Sequence, residues 1–136
     1  IRKIHKSYLG VVVGNFNKSK GTLIDDLYYY EGNKKIKARA ITNFTLIDSA
    51  NNYSLLKLNP ETGRKHQLRK QLLIHGYPIL GDEKYNLLLK KNKMKNNLML
   101  HAHKIHFKIN DLKYNFSADV PEDFNKFLRE KRLKIY

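Results

Sequence analysis

The sequence contains no cysteine. Disulfides, thiol nucleophiles and thiolate metal sites are therefore excluded, and a reducing, cytoplasmic setting is the expectation. No apolar run approaches the roughly 20 residues that a membrane-spanning helix needs, so no membrane role is expected. Residues 1–6 are charged and form no signal peptide. A start at Ile1, in mid-pattern, is what a cut or processed piece would show. Acids are also scarce: 12 Asp and Glu stand against 27 Lys and Arg, a net charge of +15. Self-repulsion of that size works against compactness. A polyanionic partner, RNA or DNA, is its simplest physical reason; lysines that are merely solvated are the plainer alternative.

What is present suffices for one domain over residues 1–136, with 41% apolar residues and no repeat or linker. Residues 5–14 read as a strand whose apolar run ends at glycine, and 15–21 as a polar turn. Residues 21–27 read as a short strand, and 28–37, with three tyrosines and Gly32, as a loop. Strands follow at 38–47 and 53–58, joined by the turn signal at 48–52. Leu68 and Leu72 share a helical face, with Thr62 and Gly63 opening the segment, Gly76 as its C-cap and Pro78 barring continuation. Residues 87–97 read as a basic helix running into a loop.

Residues 98–109 read as a long strand. Its alternation changes phase between Leu98/Leu100/Ala102 and Ile105/Phe107/Ile109, which predicts a bulge or a bend. Residues 113–120 return across Asn110-Asp111 as its hairpin partner. Pro121 starts a last helix, with Glu122 and Asp123 favouring its dipole and Phe124, Phe127 and Leu128 forming its apolar face. The fold class is α+β: a mostly antiparallel or mixed sheet with a few flanking helices.

The segment richest in chemistry is 55–85. It predicts a strand, a glycine turn and a helix whose first turn holds Arg64, Lys65, His66 and Gln67, a basic helix start suited to phosphate. Arg69 lies beside Leu68 at the edge of the core, where an arginine is normally paired with a carboxylate or phosphate.

The run Thr62-Gly63-Arg64-Lys65-His66-Gln67-Leu68-Arg69, with His75-Gly76-Tyr77-Pro78-Ile79-Leu80-Gly81-Asp82 and Tyr85, resembles the late motif of RluA-type pseudouridine synthases. Lys6-Ser7-Tyr8-Leu9, residues 38–42, Met99-Leu100-His101-Ala102 and the stretch from Val120 to Phe124 match in order. The resemblance implies a cofactor-free isomerisation of uridine in RNA, ribosomal RNA first and transfer RNA second, with the base taken out of its stack. It implies that Tyr8 sits against the uracil and that Arg69 pairs with an essential aspartate. It also implies that Leu68 and Ile79 wall the pocket and that Arg64, Lys65, His66 and Gln67 meet RNA.

The departure from the pattern is equally informative. The family carries its aspartate in an Arg-Leu-Asp sequence, and the only Arg-Leu here, Arg132-Leu133, is followed by Lys134. The resemblance thus implies an incomplete pseudouridine synthase catalytic fold, inactive alone, whose missing N-terminal part leaves a surface open to dimerisation.

Plainer readings stand beside these. Arg69 also reads as a surface ion-pair residue, Tyr8 as an ordinary strand tyrosine, and Arg64, Lys65 and His66 as a solvated helix start. Asp82 reads as a turn residue. His101, His103 and His106 lack the further ligands of a metal site, so none is expected. Tyr28 to Tyr30 near Lys34, Lys35 and Lys37 suit either base stacking or loop packing, and Lys90, Lys91, Lys93 and Lys95 suit phosphate contacts or a solvated face. A non-catalytic basic RNA-binding module is the rival reading of the whole chain.

Overall fold

The computed structural model describes residues 4–85 and 97–135. Its described elements run β1 (Ile4–Val13), β2 (Lys20–Glu31), β3 (Lys34–Ala50), β4 (Tyr53–Pro60), α1 (Gln67–Ile74), β5 (Leu100–Ile109), β6 (Leu112–Ser117) and α2 (Glu122–Glu130). The strands form one six-stranded sheet in the order β2-β3-β4-β1-β5-β6, with every pairing antiparallel. The expected α+β class holds.

Alternation on β1 sends side chains to two cores. Val12 joins Leu56, Leu58 and Phe44 beneath Leu68 and Leu72 of α1, with Tyr8 packed at the margin. Leu9 and Val11 point the other way, to Phe124 and Leu128 of α2 and to Leu133 beyond it. Among the described residues each face of the sheet thus receives one helix.

The expected loop at 28–37 is instead strand. Tyr28 to Tyr30 continue β2, paired with residues 35–37 of β3 across the turn at Gly32-Asn33. Gly32, at φ 62, supplies the left-handed conformation that a tight hairpin demands, and the flanking Tyr and Ile residues favour extended backbone. The anticipated turn at 48–52 contracts to Asn51-Asn52, both with positive φ, and β3 runs on to Ala50. The Asn110-Asp111 turn forms as expected between β5 and β6.

The bulge is real. Ser7 pairs with Lys104 but Tyr8 with Ala102, so His103 is the extra residue on β5. It brings Ala102 and Ile105 to the same face of the sheet, as the phase change requires. Ile105, Phe107, Tyr114 and Phe116 then form a paired apolar group on the α1 side, where Phe107 stacks on Tyr114 at 5.1 Å. Phe116, Leu112 and Ile4 are exposed there. The basic segment 87–97 lies outside the described residues, Asn97 excepted, and so do Lys90, Lys91, Lys93 and Lys95.

Helix α1 ends as its sequence predicts. The Gly76 N–H donates to the Leu73 carbonyl at 3.0 Å and the Tyr77 N–H to Leu72 at 2.8 Å, with Gly76 at φ 85. A Cβ at Gly76 would meet nothing within 4 Å, so replacement introduces backbone strain alone. Gly76→Ala is expected to lower unfolding free energy by about 1 kcal/mol in urea titration.

Candidate active site

The approach to α1 is built differently from a basic helix start. Arg64, Lys65 and His66 precede the helix, and of the four expected first-turn residues only Gln67 is helical. His66 occupies the cap position with φ 51 and makes no side-chain cap. The turn is held by Gln67, whose Oε1 accepts from the Thr62 hydroxyl at 2.7 Å and from the Arg64 N–H at 3.0 Å. Its Nε2 donates to the Ile41 carbonyl and the Thr42 hydroxyl oxygen. Gln67 is therefore buried and committed to the protein, which corrects its assignment as an RNA contact. One turn on, fully buried Gln71 accepts from the Thr42 hydroxyl at 2.6 Å, and its Nε2 faces the Leu23 and Ala40 carbonyls and Asp25. His75 reaches the same Asp25 carboxylate at 3.0 Å. A polar seam thus fastens α1 to β2 and β3. Apolar periodicity carries no signal for it, because glutamines occupy the inward face.

Arg69 leaves this helix toward the opposite side. Its Nε donates to Asp82 Oδ2 at 3.0 Å and its Nη2 to Oδ1 at 2.8 Å. Asp82 is only 1% exposed and Arg69 19%, so water screens the pair weakly. Asp82 Oδ1 also accepts the Tyr85 N–H at 3.1 Å, which makes it an ordered turn residue as well as an ion-pair partner. The Asp82 contact raises the Arg69 pKa and keeps the guanidinium charged. The Arg69 guanidinium carbon sits 5.0 Å from the Tyr85 ring centre, and the Tyr85 hydroxyl shares a hydrogen bond of 2.7 Å with His66 Nδ1.

Next to this network is a cavity of about 490 Å³ whose walls include Lys6, Tyr8, Arg64, His66, Leu68 and Arg69. The first strand, the turn after β4 and helix α1 each contribute, so residues some sixty positions apart converge. Lys65 is exposed and outside the lining, and Gln67 reaches it only as a buried wall. Ile79, expected in the pocket wall, is instead fully buried in the core with Val12 and Leu72. The cause is an isolated bridge to Val12, supported by the Leu80 N–H donating to the Val11 carbonyl at 2.9 Å. Among the described residues no group of three or more His, Asp or Glu side chains could hold a metal ion. No helix of the described residues is long and apolar enough to cross a membrane.

Removing one partner of a poorly screened ion pair leaves the other uncompensated. Asp82→Ala is expected to destabilise the fold by about 3 kcal/mol in urea titration, and Asp82→Asn by less. His66 has its pKa lowered, first by burial and then by the charges of Arg69, Lys84, Lys65 and Lys70. Its folded pKa thus lies below the unfolded value, so the unfolded chain binds the proton more readily. Above about pH 6.5 the effect on stability vanishes, and below it stability falls. Unfolding midpoints of His66→Gln should lose that acid-side contribution.

Residues 1–73 match the family described as RNA pseudouridylate synthase. The ribosomal large subunit pseudouridine synthase D of Borreliella burgdorferi is 33% identical over 135 residues, covering 93% of this chain and 41% of that protein. The tRNA pseudouridine synthase C of Haemophilus ducreyi is 32% identical over 128 residues, covering 77% of this chain and 52% of that protein. The solved structure of human RNA Pseudouridylate Synthase Domain Containing 4 aligns with a TM-score of 0.78 at 26% identity, over 95% of this chain and 62% of that one. Human RNA Pseudouridylate Synthase Domain Containing 1, at 17% identity and a TM-score of 0.75, shares the fold over 97% of this chain and 67% of that one. The chain spans about half the length of the curated relatives it matches. A family match across more than half the residues, joined to a third of positions shared with a relative along nearly the whole chain, makes this chain a member of the RNA pseudouridylate synthase family, of the RluA type.

Proposed function

We propose that this chain is the C-terminal part of a catalytic domain that isomerises uridine to pseudouridine in RNA. One observation carries the reading: Tyr8, Leu68 and Arg69 meet around a single cavity whose rim bears Lys6 and Arg64. A uracil turned out of its stack enters between the Tyr8 phenol and Leu68, while the rim cations take the flanking phosphates.

Arg69 has the chemistry to serve two carboxylates. Its guanidinium carries five N–H groups, and Asp82 takes one from Nε and one from Nη2. The remaining donors are available to a second acid. In this reading that acid is the essential aspartate, supplied by sequence outside these residues, since no Arg-Leu-Asp occurs among them. The glycosidic bond of the uridine then breaks, the uracil turns within the cavity, and the ribose rejoins it through carbon. A proton leaves C5, one is taken up at N1, and no cofactor is consumed.

Ribosomal RNA is the leading substrate, because the large-subunit enzyme of Borreliella aligns along nearly the whole chain. Transfer RNA is second, on the Haemophilus relative. The cytoplasm is the site of action that such substrates imply. The same reading assigns the exposed apolar end of β5 and β6, with Leu112 and Phe116, to contact with further protein, either a neighbouring segment or a second copy.

The test is release of tritium from C5-tritiated uridine in RNA. The full-length protein should release it. Arg69→Ala should lower turnover by about 100-fold or more with little change in RNA affinity, and residues 1–136 alone should release none. Unchanged turnover in Arg69→Ala would remove its role. RNA binding without any release from the full-length protein would favour the non-catalytic module.

A further inference from the structure

The register of β2 and β3 builds a surface that the cavity does not use. Strand β4 pairs with β3 only as far as Thr42, opposite Pro60. Beyond that point β2 and β3 continue alone, as a two-stranded ribbon over 24–31 and 34–41. Such a ribbon is marginal by itself. Here its inner side is pinned to α1 by Gln71 and His75 on Asp25 and by the reach of Lys70 Nζ to the Tyr28 carbonyl.

Its outer side is a ladder of cross-strand pairs. From the sheet outward these are Ile24 with Ile41, Asp26 with Arg39, Tyr28 with Lys37 and Tyr30 with Lys35. Alternation puts Leu23, Asp25 and Leu27 inward, and Tyr28 and Tyr30 outward at 53% and 72% exposure. Two large aromatic rings are thus held in the open, about 7 Å apart along one strand, by a backbone registered residue by residue on the neighbouring strand. Lys35 Nζ rests 4.7 Å from the Tyr28 ring centre, so the ring face already attracts a cation. Within the ladder itself Arg39, Lys37 and Lys35 outnumber the acid Asp26. Arg64, on the cavity rim, touches only the ribbon's backbone, donating from Nε to the Arg39 carbonyl at 2.9 Å, while the ladder itself faces away from α1 and the cavity.

We propose that the outer face of this ribbon, through Tyr28 and Tyr30 with Lys35, Lys37 and Arg39, is a stacking platform for unpaired bases of single-stranded RNA. The inference rests on the RNA reading given above and adds a second contact surface to it. Aromatic rings that alternate along a strand can each take the face of any base, while cross-strand cations meet phosphates. The platform therefore favours single strands and is tolerant of sequence. It holds single-stranded RNA on the face of the sheet opposite the cavity.

The test is fluorescence anisotropy of the full-length protein with a labelled oligouridylate of about a dozen nucleotides, and with a labelled blunt RNA duplex. Tyr30→Ala and Tyr28→Ala should each weaken oligouridylate binding at least about fivefold. Binding to the duplex should be nearly unaffected. Tyr30→Trp should retain wild-type affinity, because a stacking face remains. Lys35→Ala should lower the slope of log affinity against log salt by about 0.7. Circular dichroism should show these exposed positions to be silent in folding.

Wild-type affinity in both alanine variants would overturn the platform and leave the RNA reading intact. Equal losses on single strand and duplex would overturn it too. A wild-type protein that binds neither probe would remove the RNA reading itself. A change in sedimentation mass on tyrosine replacement, with oligouridylate binding unchanged, would make the face a protein contact instead.

Discussion

The guanidinium of Arg69, gripped on two nitrogens by a carboxylate that is 1% exposed, joins helix α1 to the segment that follows it. It fixes helix α1 to the turn at Asp82. That turn follows residues 78–80, which hydrogen-bond to β1 through Val13 and Val11. Tyr8 stands on the same strand. The distance between helix and strand, and with it the width of the cavity, thus depends on an ion pair shielded from water, where removal of either partner is expensive.

A second set of buried polar contacts opposes rotation of the helix. Gln67 and Gln71 point inward, and their amides satisfy Thr42, Thr62 and main-chain carbonyls of β2 and β3. Apolar side chains at these positions would pack but would leave strand carbonyls without donors, and a buried unmade hydrogen bond costs more than a made one contributes. No buried side-chain nitrogen or oxygen among the described residues lacks a partner. The polar seam therefore gives the helix one orientation, which Leu68 and Leu72 alone would define less sharply.

Electrostatics complete the division of labour. The surplus of cations, +15 over the whole sequence, is not spent inside the fold. Arg69 is neutralised by Asp82, while Arg64 lines the cavity rim and Lys35 and Lys37 stay exposed on the ribbon. The lowered pKa values of His66 and Lys70 show the field that results: after burial, each is opposed by neighbouring cations. A polyanion would relieve that repulsion.

Much of this was legible in the residues themselves. Strand and helix periods marked β1, β4, β5 and both described helices, Gly76 and Pro78 marked the end of α1, and a phase change of two apolar triplets signalled a bulge or bend that the register places at His103. These features are local, encoded within a few residues by backbone geometry and side-chain alternation. Only the tertiary structure decided that Asp82 is the partner of Arg69, that Gln67 is a buried brace, that Ile79 belongs to the core, and that Tyr28 to Tyr30 lie on a ribbon. A side chain's partner in space depends on which elements pack together, and partners thirteen to fifty positions apart, such as Arg69 with Asp82 and His75 with Asp25, leave no periodic trace in the chain.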